Sequence, residues 1–145
     1  MTVYIDTSAI IKLYFREKFS RETATWLRKN NEAVPITPFH DLEFTNAVNL
    51  KCFRKEITVE QAGEVLAKFK DHQAKGVYYR PPIKWPDVFL LSLDLTRIHT
   101  PAIGCRSLDI MHVALALSIG ANRLLTFDQK QSQLALAAGL RIETP

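Results

Sequence analysis

Short apolar runs alternate along the chain with longer segments of helical spacing. Val3, Tyr4 and Ile5 form a β-branched and aromatic run that predicts a strand. From Ser8 the period changes, and Ile10, Ile11, Tyr14 and Phe15 share one face of a helix over about 8–15. A second helix is expected from Ser20, as its cap, to Lys29, with Ala24 and Leu27 inward and Trp26 at an edge. Val34 to Thr37 reads as a strand, and Pro35 places it at a sheet edge or at a strand's beginning. Pro38 suits the first turn of a third helix reaching about Lys55, with Phe39, Leu42, Ala47, Leu50 and Phe53 as apolar positions. Thr58 with Gln61 is a capping-box pattern for a helix over 59–73, which Gly76 ends.

Val77 to Tyr79 resembles another strand. Pro86 and Asp87 open a helix to about Ile98, and residues 100–106, with Pro101 and Gly104, read as a loop. Ser107 is expected to cap the most apolar helix, 108–119, which Gly120 stops. Arg123 to Phe127 is a strand, Asp128 follows, a helix runs from about Gln129 to Ala138, and a last strand spans Leu140 to Glu143. Strands alternating with helices predict an α/β fold, a three-layer α/β/α sandwich with a mostly parallel central sheet. The 145 residues show no repeat, low-complexity tract or linker, so a single domain over 1–145 is expected.

Composition narrows the classes. Hydrophobic residues make up 47% and charged residues 23%, the range of an ordinary globular chain. No run approaches the roughly 18 apolar residues of a membrane span. The first strand starts with no leader pattern ahead of it, so a cytoplasmic location is expected. Cys52 and Cys105 lack metal-type spacing and are expected as buried free thiols. The net charge of +4 favours an anionic partner only weakly. It gains meaning if acids gather at one spot with Lys and Arg around them.

Most acids have ordinary explanations. Asp94 can pair with Arg97, Asp87 sits in a first turn, and Glu60 and Glu64 lie on a polar face. Four stand apart. Asp6 ends a buried strand at the sheet edge where open parallel sheets bind ligands, and Asp128 ends another. For either alone, capping the following helix is the better reading. Asp109 lies in a helix apolar on nearly every side, where an unpaired carboxylate costs several kcal/mol. Pairing with Arg106, or first-turn stabilisation, competes equally there. Glu43 sits between Leu42 and Phe44 with Asn46 and Ala47 nearby; an exposed helical glutamate is the competing reading.

The combination is stronger than its members, because an α/β sheet can bring all four acids to one carboxyl edge. Crowded carboxylates raise each other's pKa unless a cation intervenes. Oxygen ligands favour Mg²⁺ or Mn²⁺. The matching chemistry is phosphodiester hydrolysis, one ion polarising the attacking water and a second, at ~4 Å, steadying the leaving oxygen. Ser8 and Thr126 are suited to orienting ligands or simply to packing. His112, one turn beyond Asp109, reads as a satisfied core histidine slightly ahead of a catalytic one. Lys12, Arg16 and Arg106 are candidates for phosphate contact.

The order Val3-Tyr4-Ile5-Asp6-Thr7-Ser8-Ala9, Glu43, Arg106-Ser107-Leu108-Asp109 with His112 and Ala114, and Leu125-Thr126-Phe127-Asp128 resembles the PIN domain. It is most similar to the VapC toxins of bacterial and archaeal toxin–antitoxin pairs. The resemblance implies a Mg²⁺- or Mn²⁺-dependent endoribonuclease. Asp6 and Asp109 would be the main metal ligands, Glu43 would complete the ligand set or position water, and Asp128 would hold a second ion or act through water. It also implies a homodimer and a VapB-like antitoxin that blocks the site, with Tyr14, Phe15, Phe19 and Trp26 as groove candidates unless they belong to the core. Two alternatives stand beside this reading. One is a non-catalytic PIN-like binding module. The other is a receiver-type phosphoacceptor domain, which wants adjacent acids on an early strand and a lysine after a late one; here Asp6 stands alone, and the late strand Arg123 to Phe127 ends in an acid.

Overall fold

Three consecutive buried residues form β1 (Val3–Ile5), and their alternation divides the interior in two. Tyr4 faces one apolar cluster, together with Leu124 and residues of the later helices. Val3 and Ile5 face the other, with Leu125 and residues of the earlier helices. The computed structural model describes residues 2–145. β4 (Arg123–Leu125) pairs in parallel with β1, and β5 (Arg141–Glu143) pairs in parallel with β4.

β2 (Val34–Pro35) and β3 (Tyr78–Tyr79) form a second parallel pair. β2 runs beside β1 without sharing a hydrogen-bonded ladder. The chemistry of the seam explains this. Pro35 has no N–H to give. His40 takes the neighbouring groups instead: its Nε2–H donates to the Ile5 carbonyl at 2.8 Å, and its Nδ1 accepts the Thr37 N–H at 3.0 Å. Burial, with a smaller push from nearby His112, lowers the His40 pKa to about 3, so the ring is a neutral bridge at ordinary pH.

One face of the sheet carries α5 (Trp85–Ile103), α6 (Ser107–Ser118) and α7 (Gln129–Ala137). The other carries α1 (Thr7–Ile11), α3 (Pro38–Phe53) and α4 (Val59–Ala74), with Trp26 and Leu27 of α2 (Ser20–Lys29) packed alongside. The expected α/β/α arrangement is therefore present, with its parallel sheet in two pieces. Phe44 and Phe69 stack at 4.1 Å inside the second cluster, and Tyr14 meets both rings edge-on.

Several local expectations change. α1 ends at Ile11 because the next amides turn back to i−3 carbonyls, Leu13 to Ile10 and Tyr14 to Ile11. Ser20 does not cap α2. Its hydroxyl accepts from the Glu17 N–H and donates to the Phe15 carbonyl, both at 2.8 Å, and Phe19 in the left-handed region (φ 69) starts the helix. Thr23, rather than Ala24 or Leu27, is its fully buried residue. The buried face of α3 is His40, Phe44 and Val48, whereas Leu42, Leu50 and Phe53 are exposed. Thr37 caps α3 and the Thr58–Gln61 capping box forms as expected. β4 and β5 are shorter than expected.

α5 runs through Pro101 to Ile103 where a loop was expected. Pro101 lies in the last turn, so it removes little of the helix's bonding, and α6 packs along α5. Gly104 (φ 73) then ends the helix, its N–H reaching the Thr100 carbonyl at 2.7 Å. α6 begins at Ser107 itself, with Arg106 at the cap position and no side-chain cap bond. Cys105 is buried and Cys52 only half-buried; both are free. Tyr14, Phe15 and Trp26 pack against the second cluster, but Tyr14 and Phe15 also line, with the exposed Phe19, a depression of about 740 Å³; Phe19 stacks on Phe127 at 4.9 Å. Among the described residues, no helix is long and apolar enough to cross a membrane.

Candidate active site

The carboxyl ends of β1 and β4 open onto a cavity of about 500 Å³. Asp6, Glu43, Asp109 and Asp128 all line it, with Thr7, Ser8, Arg106, His112 and Gln131 among their neighbours. Four different elements deliver the acids.

Asp6 is the residue at which β1 stops. Its N–H donates to the Leu125 carbonyl at 3.2 Å, which registers it against β4. Its side chain caps α1 by accepting the Ala9 N–H at 2.9 Å. The Ser8 hydroxyl lies 3.0 Å from both oxygens, and the Thr126 hydroxyl donates to Oδ2 at 2.6 Å. Among the described residues these partners are hydroxyls and an amide, with no lysine or arginine. Asp6 is 4% exposed. Burial raises its pKa above the usual carboxylate value, and His112, Thr126, Ala9 and Ser8 offset that only in part.

Asp128 caps α7, its Oδ1 accepting the Gln131 N–H at 2.8 Å. Its own N–H donates to the Thr126 hydroxyl at 3.1 Å, so Thr126 ties the two strand-end acids together. Asp109 lies in the first turn of α6 and accepts from Arg106 Nε at 3.3 Å. The same guanidinium reaches towards Asp128, with Nη2 3.9 Å from Oδ2. Each ordinary reading of these acids is thus present: two caps, one arginine pair, one first-turn position. None of them removes the acids from the shared cavity. The Arg106 side chain is 78% exposed, so its pairing is weak and easily given up.

Glu43 is held by two hydroxyl- or ring-bearing partners. Thr7 Oγ1 and His112 Nε2 both donate to its Oε1 at 2.6 Å. Burial pushes its pKa up, but these two partners outweigh burial and hold it below the usual value. The Tyr4 hydroxyl lies 2.7 Å from His112 Nδ1. Burial, then the charges of Asp6 and Glu43, drive the Tyr4 pKa well upward, so the phenol keeps its proton and donates it. Sequence reasoning missed Thr7, Tyr4 and Gln131. Their partners lie 36 and 108 residues away for Thr7 and Tyr4, beyond any local pattern. Of the candidate cations, only Arg106 lines this cavity. Lys12 lies with Lys51 and Arg54 in an adjoining depression that shares Thr7, Ser8 and Glu43, and Arg16 lines a separate one.

The residues fit a hydrated hard cation better than a closed cage. Among the described residues, no three His, Cys, Asp or Glu side chains already stand together as a ligand set. Mg²⁺ commonly keeps several waters and takes one or two carboxylates, which suits an acid-lined space of this size. Two observations favour an added cation. Among the described residues, Asp6 is a buried carboxylate with no lysine or arginine partner, and Arg106 already sets positive charge between Asp109 and Asp128. Gln131 Oε1 is also buried without a hydrogen-bond partner beside the cavity, an acceptor waiting for a donor.

No curated protein sequence is matched by this chain. Among solved structures, the crystal structure of FitAcB from Neisseria gonorrhoeae shares the fold, with a TM-score of 0.69 over 99% of this chain and 98% of that one. The identity is 16%, so this likeness concerns the fold. The family model described as PIN domain matches residues 3–136, a span that starts with β1 and takes in all four acids. By that match the chain belongs to the PIN domain family.

Proposed function

We propose that this chain is a divalent-metal-dependent endoribonuclease, acting as one cytoplasmic domain and serving as the toxin of a VapC-type toxin–antitoxin pair. The observation that carries the reading is the convergence of Asp6, Glu43, Asp109 and Asp128 on one cavity while the most buried of them has no lysine or arginine partner among the described residues. Membership of the PIN domain family and the motif resemblance support it.

Asp6 and Asp109 would hold Mg²⁺ or Mn²⁺, with Asp128 supporting a second ion or a water. When bound, the ion would supply positive charge against the negative charge that develops on the phosphodiester, and would acidify water. The chain's own groups do the rest. Glu43 accepts a proton from the attacking water, and His112 and Thr7 keep it ionised for that task. Thr126 and Ser8 keep the Asp6 oxygens aimed at the cavity. Lys12, Lys51 and Arg54 in the adjoining depression suit the phosphates of a single RNA strand. Homodimerisation and capture by a VapB-like antitoxin follow from the same reading. The exposed apolar residues Phe89, Leu90 and Leu93 of α5 offer a face for such an association.

Purified protein incubated with RNA is expected to cleave with Mn²⁺ and not with EDTA. Asp6→Asn and Asp109→Asn are expected to lose about 100-fold or more while circular dichroism stays unchanged. Undiminished cleavage by both variants, or cleavage in EDTA, rejects the proposal.

A further inference from the structure

The side chain that Glu43 depends on is not an acid. A glutamate carries three rotatable bonds, and fixing it costs rotamer freedom. Here two short hydrogen bonds converge on one oxygen, Oε1, and neither engages Oε2, while Glu43 lines the cavity. The Thr7 hydroxyl is one donor. The other is His112, 4% exposed, whose orientation is fixed from behind by the Tyr4 hydroxyl on Nδ1. With Tyr4 donating to Nδ1, the ring proton belongs on Nε2, the atom that faces Glu43. Phe39 and His40 close around the ring, with centroids 4.8 and 5.3 Å away, so it has no room to turn.

We propose that His112 is a positioning residue for Glu43, and that Tyr4–His112–Glu43 is a buried relay fixing where the Glu43 carboxylate points. The relay joins β1, α6 and α3, and α6 supplies both Asp109 and, one turn later, the support for Glu43. Its catalytic consequence rests on the nuclease reading above; the positioning itself does not. Misplacing a reacting group by about 1 Å costs about 100-fold in rate. Losing the His112 donor should therefore reduce turnover and leave RNA binding alone.

The variants are His112→Leu, which removes both ring nitrogens, and His112→Gln, whose amide can replace the donor to Glu43. Tyr4→Phe removes the hydroxyl that sets the tautomer. Crystal structures of the variants test the positioning whether or not the chain cleaves RNA. In His112→Gln, Glu43 should keep its contact with Thr7; in His112→Leu it should leave that contact or divide between conformers. Glu43 unmoved in His112→Leu overturns the relay. Kinetics with Mn²⁺ and a short RNA test the consequence. His112→Leu should lose about 100-fold in kcat with KM within about threefold, and His112→Gln should recover to within about tenfold of wild type. Tyr4→Phe should fall between them. A His112→Leu kcat within about threefold of wild type, or no rescue by glutamine in a variant that melts normally, overturns it. An inactive wild type rejects the nuclease reading, and the Glu43 conformers then still decide the relay.

Discussion

Thr126→Val isolates the hydroxyl that holds two site acids at once. Thr126 donates to Asp6 Oδ2 at 2.6 Å and accepts the Asp128 N–H at 3.1 Å. Valine has nearly the same shape, so little cavity forms and the cost is that of lost hydrogen bonds. A bond to a charged group contributes about 1.5–3 kcal/mol. The Asp128 amide is half-buried and can be rehydrated in part, adding about 0.5 kcal/mol. The expected loss at pH 7 is about 2–3.5 kcal/mol, or roughly 10 °C in Tm for a chain of this length. The pH dependence is more telling. Burial already raises the Asp6 pKa above 3.8, and Thr126 is among the groups that pull it down. Stability from a group whose folded pKa is raised is fully present below the unfolded value and is lost as pH climbs through the folded one. Removing Thr126 raises the folded pKa further, so the variant should lose more than wild type between pH 4 and 7, and the gap should shrink in acid. Urea unfolding followed by circular dichroism at both pH values measures this. A gap under about 0.5 kcal/mol at pH 7, or one as large at pH 4, would refute the account of how Asp6 is held.

Asp6→Asn removes the raised carboxylate itself, so its stability relative to wild type should grow as pH rises from 4 to 7, and millimolar Mn²⁺ should raise the Tm of wild type only; parallel calorimetric pH profiles would contradict this. Arg106→Ala removes the guanidinium spanning Asp109 and Asp128, a contact worth about 0.2–1 kcal/mol, so Mn²⁺ should bind up to about fivefold more tightly by titration calorimetry. Unchanged or weaker binding would show that the arginine does not occupy the cation's place. His40 has a folded pKa near 3 against an ordinary 6.5, so its contribution is complete above 6.5 and is lost as pH falls towards 3, by up to about 1.4 kcal/mol per unit. His40→Leu should flatten that acid limb and cost about 3 kcal/mol or more at pH 7 through two unpaired backbone groups. An equally steep limb in the variant would exclude His40 as its source.

What the sequence made legible were features decided locally. β1 announces itself by three consecutive strand formers followed at once by an acid. The Thr58–Gln61 box needs only its own turn to form. The two strand-end acids were also readable, because a strand leads directly into each. α3 was harder. Its exposed face carries Leu42, Leu50 and Phe53, while one of its fully buried residues is His40, so hydrophobicity marked the wrong face. α5 continued through a proline because α6 supports it, and that support is a tertiary fact. The fine structure of the site was not readable for the same reason. Nothing near Glu43 in the chain indicates that its partners are a threonine 36 residues earlier and a histidine 69 residues later.

The imidazole between β1 and β2 gives the sheet a seam that does not zip. Elsewhere neighbouring strands are locked by repeated main-chain rungs, so moving one strand means breaking several bonds together. Across this seam, among the described residues, the strands share no ladder, and the His40 ring together with side-chain packing carries the link. The half carrying Glu43 is therefore registered against the half carrying Asp109 and Asp128 by side chains, His40 at the seam and Thr7 and His112 at Glu43, so a point substitution can shift their spacing where a ladder of main-chain bonds would resist it.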